Sequence, residues 1–102
     1  MYILLKYINE SLDRTSGQDV INAVSVQAHG GYDGKKDYTR HITVTDCDDA
    51  SMRSAYEYYA NQIYEMDEFV GALTEALSAR EEKTVLVIYG DHMPSLDFVN
   101  SD

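Results

Sequence analysis

Two stretches of the chain carry apolar residues at helical spacing. In residues 1–13, Met1, Leu4, Leu5, Ile8 and Leu12 form one i, i+3, i+4, i+7 stripe, which predicts an amphipathic helix. No capping residue precedes it, as expected of a segment from a longer chain, and Ser16-Gly17 ends it. Residues 50–80 carry the stronger pattern: Ala55, Tyr56, Tyr59, Ala60, Ile63, Met66, Phe69, Val70, Leu73 and Leu77 make a wide stripe. Asp48 or Asp49 is placed to cap this helix, where an acidic side chain complements the macrodipole. Several of the nine tyrosines fall on or near the stripe and are expected as core and boundary residues rather than as a ligand cage.

Other segments read as strands. Residues 19–28 place Val20, Ile21, Ala23, Val24 and Val26 on both faces, the pattern of an internal strand. Residues 84–89, Thr-Val-Leu-Val-Ile-Tyr, form a short apolar run between Lys83 and Gly90, the shape of a central parallel strand. Residues 38–45 alternate and suit either a short edge strand or an extended loop. The polar stretch 30–37, with three glycines, reads as a turn region, and the tail from Pro94 to Asp102 as loop. A strand, a long helix and a second strand predict a right-handed crossover with parallel strands, hence an α/β fold. The carboxyl ends of both strands would then share one edge of the sheet, where ligands bind in open α/β folds.

Composition narrows the partners. The 102 residues suffice for one small domain, and 44% hydrophobic with 25% charged residues is ordinary for a globular chain. A formal net charge of −10 argues against nucleic acid and against an anionic membrane surface, unless a metal ion inverts the local charge. No apolar run is long enough to span a bilayer, and no signal peptide is visible. Cys47 is single, so an internal disulfide is excluded; it reads as a spectator thiol in an acidic loop. The acidic run Asp46, Asp48 and Asp49 lacks the spacing and closing glutamate of an EF-hand.

The residues at the expected edge carry the chemistry. The first run ends in His29, and the second is followed by Gly90-Asp91-His92. Carboxylate plus imidazole is a normal ligand pair for zinc or manganese. The plainer alternative is an ordinary loop in which Asp91 caps a following turn. His41 reads as a surface residue, and Asp67 as a structural acid near the apolar stripe.

Three segments, in order, resemble lipoteichoic-acid-synthase-type proteins of the sulfatase/alkaline-phosphatase superfamily. They are Thr84 to Pro94 (Thr-Val-Leu-Val-Ile-Tyr-Gly-Asp-His-Met-Pro), Val24 to Tyr32 (Val-Ser-Val-Gln-Ala-His-Gly-Gly-Tyr) and the intervening helix Tyr59 to Leu77. The resemblance implies a three-layer α/β/α fold with a parallel β-α-β core, of which residues 1–102 would be the C-terminal part of the catalytic domain. It implies transfer of phosphoglycerol from a phosphatidylglycerol-type lipid to a cell-envelope polymer or glycan, at the extracytoplasmic face of a bacterial membrane. One divalent cation, manganese before magnesium or zinc, would be held by Asp91 and His92, and His29 would bind the phosphoglycerol group or its leaving oxygen.

The family's threonine nucleophile and glutamate ligand lie well upstream of the histidine segment, and the 28 residues before His29 contain nothing like them. Thr15 follows a helix rather than a strand. No catalytic nucleophile is therefore assigned. The isolated chain is expected to bind metal weakly, to be inactive, and to associate with copies of itself. The alternatives are a sulfatase, a phosphoethanolamine transferase or a non-catalytic assembly module. The sulfatase motif Cys-x-Pro-x-Arg is absent, and Gly90-Asp91-His92-Met93 stands where phosphoethanolamine transferases show Ser-Asp-His-Gly.

Overall fold

The computed structural model describes residues 2–32 and 37–96. Its regular elements are two helices, α1 (Tyr2–Asp13) and α2 (Ala50–Ser78). Both fall where the apolar spacing predicts them, apart from Met1, which lies outside the described residues. Asp49 is the cap of α2: its backbone is extended, and its carboxylate accepts from the Met52 N–H at 2.9 Å. That satisfies one of the donors a helix start leaves open.

The helices meet through their apolar stripes. Ile8 of α1 packs with Phe69 and Leu73 of α2, and Leu4, Leu5, Leu12, Met66, Val70 and Leu77 surround this cluster. At the far end of the contact, Arg80 donates to Asp13 at 2.8 Å. This cluster uses the C-terminal half of α2. The N-terminal half buries a polar face instead: Glu57, Asn61 and Gln62 are all buried there, beside Tyr58.

The expected α/β architecture is overturned. Among the described residues the chain has two helices and no strands, so it is an all-α arrangement, and no parallel β-α-β core or three-layer sandwich forms. Neither 19–28 nor 84–89 has a backbone ladder, to the other or to any other segment among the described residues. Both runs stand in solvent: Val20 is 99% and Val85 90% exposed. The physical reason lies in what α2 offers them. Its apolar half is already covered by α1, and its other half presents side-chain amides and carboxylates, which hold loops. A β-prone run becomes a strand only when an edge and a face receive it. The radius of gyration, 16.9 Å, exceeds the roughly 13 Å of a compact chain of this length and reflects the same exposure.

Of the two readings left open for residues 38–45, the extended loop is the one observed over 38–45. It lies along the polar face of α2. The Asn61 amide accepts from the N–H groups of His41 (2.6 Å) and Ile42 (2.9 Å) and donates to the Ile42 carbonyl (2.9 Å). Glu57 accepts from the Val44 N–H at 3.3 Å and pairs with Arg40 at 2.5 Å. The predicted turn at 30–37 and the predicted loop at 94–102 lie partly outside the described residues.

Candidate functional site

The first candidate, His29, ends a tight turn. Its N–H donates to the Val26 carbonyl at 3.1 Å, and Ala28, the third residue of that turn, has φ +65°. A left-handed third residue is the mark of a type II turn, and glycine is its usual occupant. Alanine there is strained, because its Cβ crowds the backbone. The Tyr32 hydroxyl donates to the Ala28 carbonyl at 2.5 Å and so braces the turn from the other side.

Tyr32 is itself seated on α2. Its ring lies 5.4 Å from Tyr59, edge-on at 81°, and 6.1 Å from Tyr58. Tyr38 also meets Tyr58, edge-on with centroids 5.3 Å apart. Gln27, in the same turn, donates to Gln62 and to Glu65 of α2, the latter at 2.6 Å. Helix α2 therefore sets the position of the His29 turn through Gln27 on one side and Tyr32 on the other.

The second candidate pair, Asp91 and His92, sits beyond the exposed run 84–89 in a bend. Asp91 Oδ2 and His92 Nε2 are 3.5 Å apart, and both side chains are largely exposed. His92 Nδ1 lies 2.9 Å from the Met93 carbonyl. A carbonyl can only accept, so that contact is a hydrogen bond in the forms of His92 that carry a proton on Nδ1. The Asp91 charge reaches the first candidate's surroundings. Burial first, then Tyr59, Tyr58 and Asp91, push the Tyr32 phenol above its ordinary value.

A cation would find a two-donor half-site here. Asp91 and His92 are the right donor types, but among the described residues no group of three or more His, Cys, Asp or Glu side chains is arranged to hold a metal ion. His29 is not part of such a group. A cavity of about 290 Å³ opens beside Tyr32 at the start of α2, lined also by Asp49, Ser51, Met52, Tyr56 and Leu96. Elsewhere, the exposed His41 stacks on Tyr64 with centroids 4.2 Å apart, and the Cys47 thiol faces the Asp49 carbonyl at 3.6 Å. Asp67 is exposed rather than built into the apolar stripe.

Comparison with known proteins decides the family. The model of the family described as Sulfatase matches residues 2–100. The chain belongs to the Sulfatase family. This sulfatase-family chain is also 29% identical, over 98 residues, to a protein of Rhizobium meliloti (strain 1021) named for cyclic beta-1,2-glucan modification. That alignment covers 96% of the chain but 15% of the relative, so the chain spans a small part of the relative's length. No solved structure matches the chain. No helix among the described residues is long and apolar enough to cross a membrane.

The spacing argument missed the side chains that organise this sulfatase-family site. Glu57, Asn61 and Glu65 recur every four residues and form a polar row along one face of α2, a spacing that by itself does not distinguish a buried row from a solvated one. Tyr32 stands inside the segment that carries the resemblance, but nothing in the pattern indicated that its hydroxyl braces the residue before His29.

Proposed function

We propose that the chain is the C-terminal, metal-binding portion of a phosphoglycerol transferase that takes its group from a phosphatidylglycerol-type lipid and modifies a cell-envelope glycan. The observation that carries this reading is the adjacent Asp91–His92 pair, with Oδ2 and Nε2 3.5 Å apart, in a chain matched over residues 2–100 by the Sulfatase family. The similarity to a glucan modification protein favours a glycan acceptor over a small-molecule sulfate ester.

In this reading Asp91 and His92 supply two of the ligands of one divalent cation, manganese first and magnesium or zinc as alternatives. Such an ion supplies charge neutralisation at a phosphodiester and activation of an oxygen nucleophile. His29 faces the phosphoglycerol group or its leaving oxygen. The remaining ligands and the threonine nucleophile come from elsewhere in the whole protein, which acts at the extracytoplasmic face of the membrane. The 102 residues alone do not turn over. A sulfatase or phosphoethanolamine transferase would use the same pair on a different ester.

The test is calorimetry and kinetics on the whole protein. Manganese raises its melting temperature, and Asp91→Ala combined with His92→Ala abolishes that rise. Release of diacylglycerol from phosphatidylglycerol, with glycerol phosphate appearing on a glucan, supports the transferase. An unchanged manganese shift in the double variant refutes the ligand assignment. Release of sulfate from an aryl sulfate, with phosphatidylglycerol untouched, moves the reading to the sulfatase.

A further inference from the structure

Two features of the His29 turn have no explanation in the metal pair: a strained alanine immediately before the histidine, and a tyrosine hydroxyl bonded to that alanine's carbonyl. We propose that Tyr32 is the positioning residue for His29, its phenol holding Ala28 in the left-handed conformation that aims the imidazole. The proposal rests on the reading of His29 as the phosphodiester-facing group.

A type II turn needs a positive φ at its third residue, and alanine resists it. Without a brace, the peptide between Ala28 and His29 would relax toward the ordinary region, and the imidazole would swing with it. The Tyr32 hydroxyl fixes the carbonyl of that same peptide at 2.5 Å. The brace is anchored, because the Tyr32 ring packs against Tyr58 and Tyr59 on a 29-residue helix. The Gln27 side-chain amide, bonded to Gln62 and Glu65, ties the turn's other central residue to the same helix. The turn is thus held at both of its central residues, by the Gln27 side chain at one and the Tyr32 hydroxyl at the other.

The proposal separates hydroxyl from ring. Tyr32→Phe keeps the aromatic packing and removes one hydrogen bond, whereas Ala28→Gly removes the strain and leaves the bond in place. The experiment is NMR of the 102-residue chain with labelled histidine, reading the His29 amide and imidazole, with His41 as the internal control. Tyr32→Phe is expected to move and broaden both His29 signals and leave those of His41 in place. Introducing Ala28→Gly beforehand is expected to shrink the effect of Tyr32→Phe on the His29 amide at least twofold, since glycine holds the turn unaided. His29 signals identical in wild type and Tyr32→Phe overturn the proposal. An equal Phe effect with and without Ala28→Gly also overturns it, because the bond would then not be restraining the strained residue.

A second arm isolates the underlying reading. Inorganic phosphate titrated into the manganese-loaded whole protein shifts the His29 imidazole in wild type and shifts it less in Tyr32→Phe. Failure of phosphate to perturb His29 in wild type refutes the phosphodiester-facing role and, with it, the function of the aim. An equal phosphate response in both proteins refutes Tyr32 alone.

Discussion

Asn61 grips Ile42 by both of its backbone polar groups. Its Oδ1 accepts the Ile42 N–H at 2.9 Å, and its Nδ2 donates to the Ile42 carbonyl at 2.9 Å. That is the pair of bonds a neighbouring strand would make, supplied by one side chain from the middle of a helix. Asn61 is wholly buried, and its two further bonds, from the His41 N–H and to the Glu57 carbonyl, use the rest of its capacity.

Removing this amide unpairs partly buried backbone groups. Asn61→Ala leaves the His41 and Ile42 N–H groups without their acceptor, and losing such part-buried bonds costs about 1 kcal/mol each. The expected outcome is a lower urea midpoint at unchanged helix content, followed by circular dichroism. Hydrogen exchange is expected to accelerate first at His41 and Ile42. A midpoint within error of wild type would show that the loop is held by Arg40 and Glu57 instead.

The contact of α1 with α2 depends on few side chains. Ile8, Phe69 and Leu73 are its buried centre. Phe69→Ala removes the largest of them, and truncating a buried phenylalanine costs about 3 kcal/mol. A 12-residue helix is marginal in water without tertiary contacts. The expected result is therefore selective: α1 amides lose protection while those around Asn61 keep theirs. Uniform loss along the chain would mean that the two halves of α2 unfold as one cooperative unit.

The helices, the Asp49 cap and the order of the segments were legible in the sequence because each rests on local rules. An amphipathic stripe needs only its own spacing, and a cap needs only the residue beside it. The runs at 19–28 and 84–89 were misread as strands because β-propensity reports how well a residue suits a sheet, and no sheet receives them here. Asn61 was silent because a mid-helix asparagine looks solvated until a loop from 19 residues earlier is laid against it. At the candidate site, His29, Asp91 and His92 were singled out from an expected shared strand edge, which does not form, and from the family resemblance. Tyr32 was passed over because its role depends on the backbone angle of Ala28, and alanine signals no turn.

The exposed runs carry a consequence for association. Val24 is 77% and Val87 72% exposed, in β-prone segments whose backbones have no ladder. Unpaired extended segments of this kind template pairing with another chain. The isolated chain is expected to self-associate, with a sedimentation coefficient that rises with concentration. Val24→Lys with Val87→Lys is expected to restore a monomer without lowering the urea midpoint, since neither side chain contributes to the buried cluster. A wild-type chain that stays monomeric across the series would remove the expectation.

Tyr32 makes stability depend on alkaline pH. Its phenol is held above the ordinary value of 10.0, first by burial and then by its neighbours Tyr59, Tyr58 and Asp91. The folded chain therefore keeps the proton more tightly than the unfolded chain does. Stability from this source is fully present below the unfolded value, and it declines as pH rises through the interval up to the folded value. Urea midpoints measured from about pH 8 to pH 11 are expected to fall above 10 in wild type. Tyr32→Phe has no proton to lose, so its curve should be flatter over the same window, even though its midpoint at neutral pH is lower by the lost bond to Ala28. Parallel curves for the two proteins would show that the alkaline loss belongs to the other tyrosines, and that the hydroxyl of Tyr32 is as accessible in the folded chain as in the unfolded one.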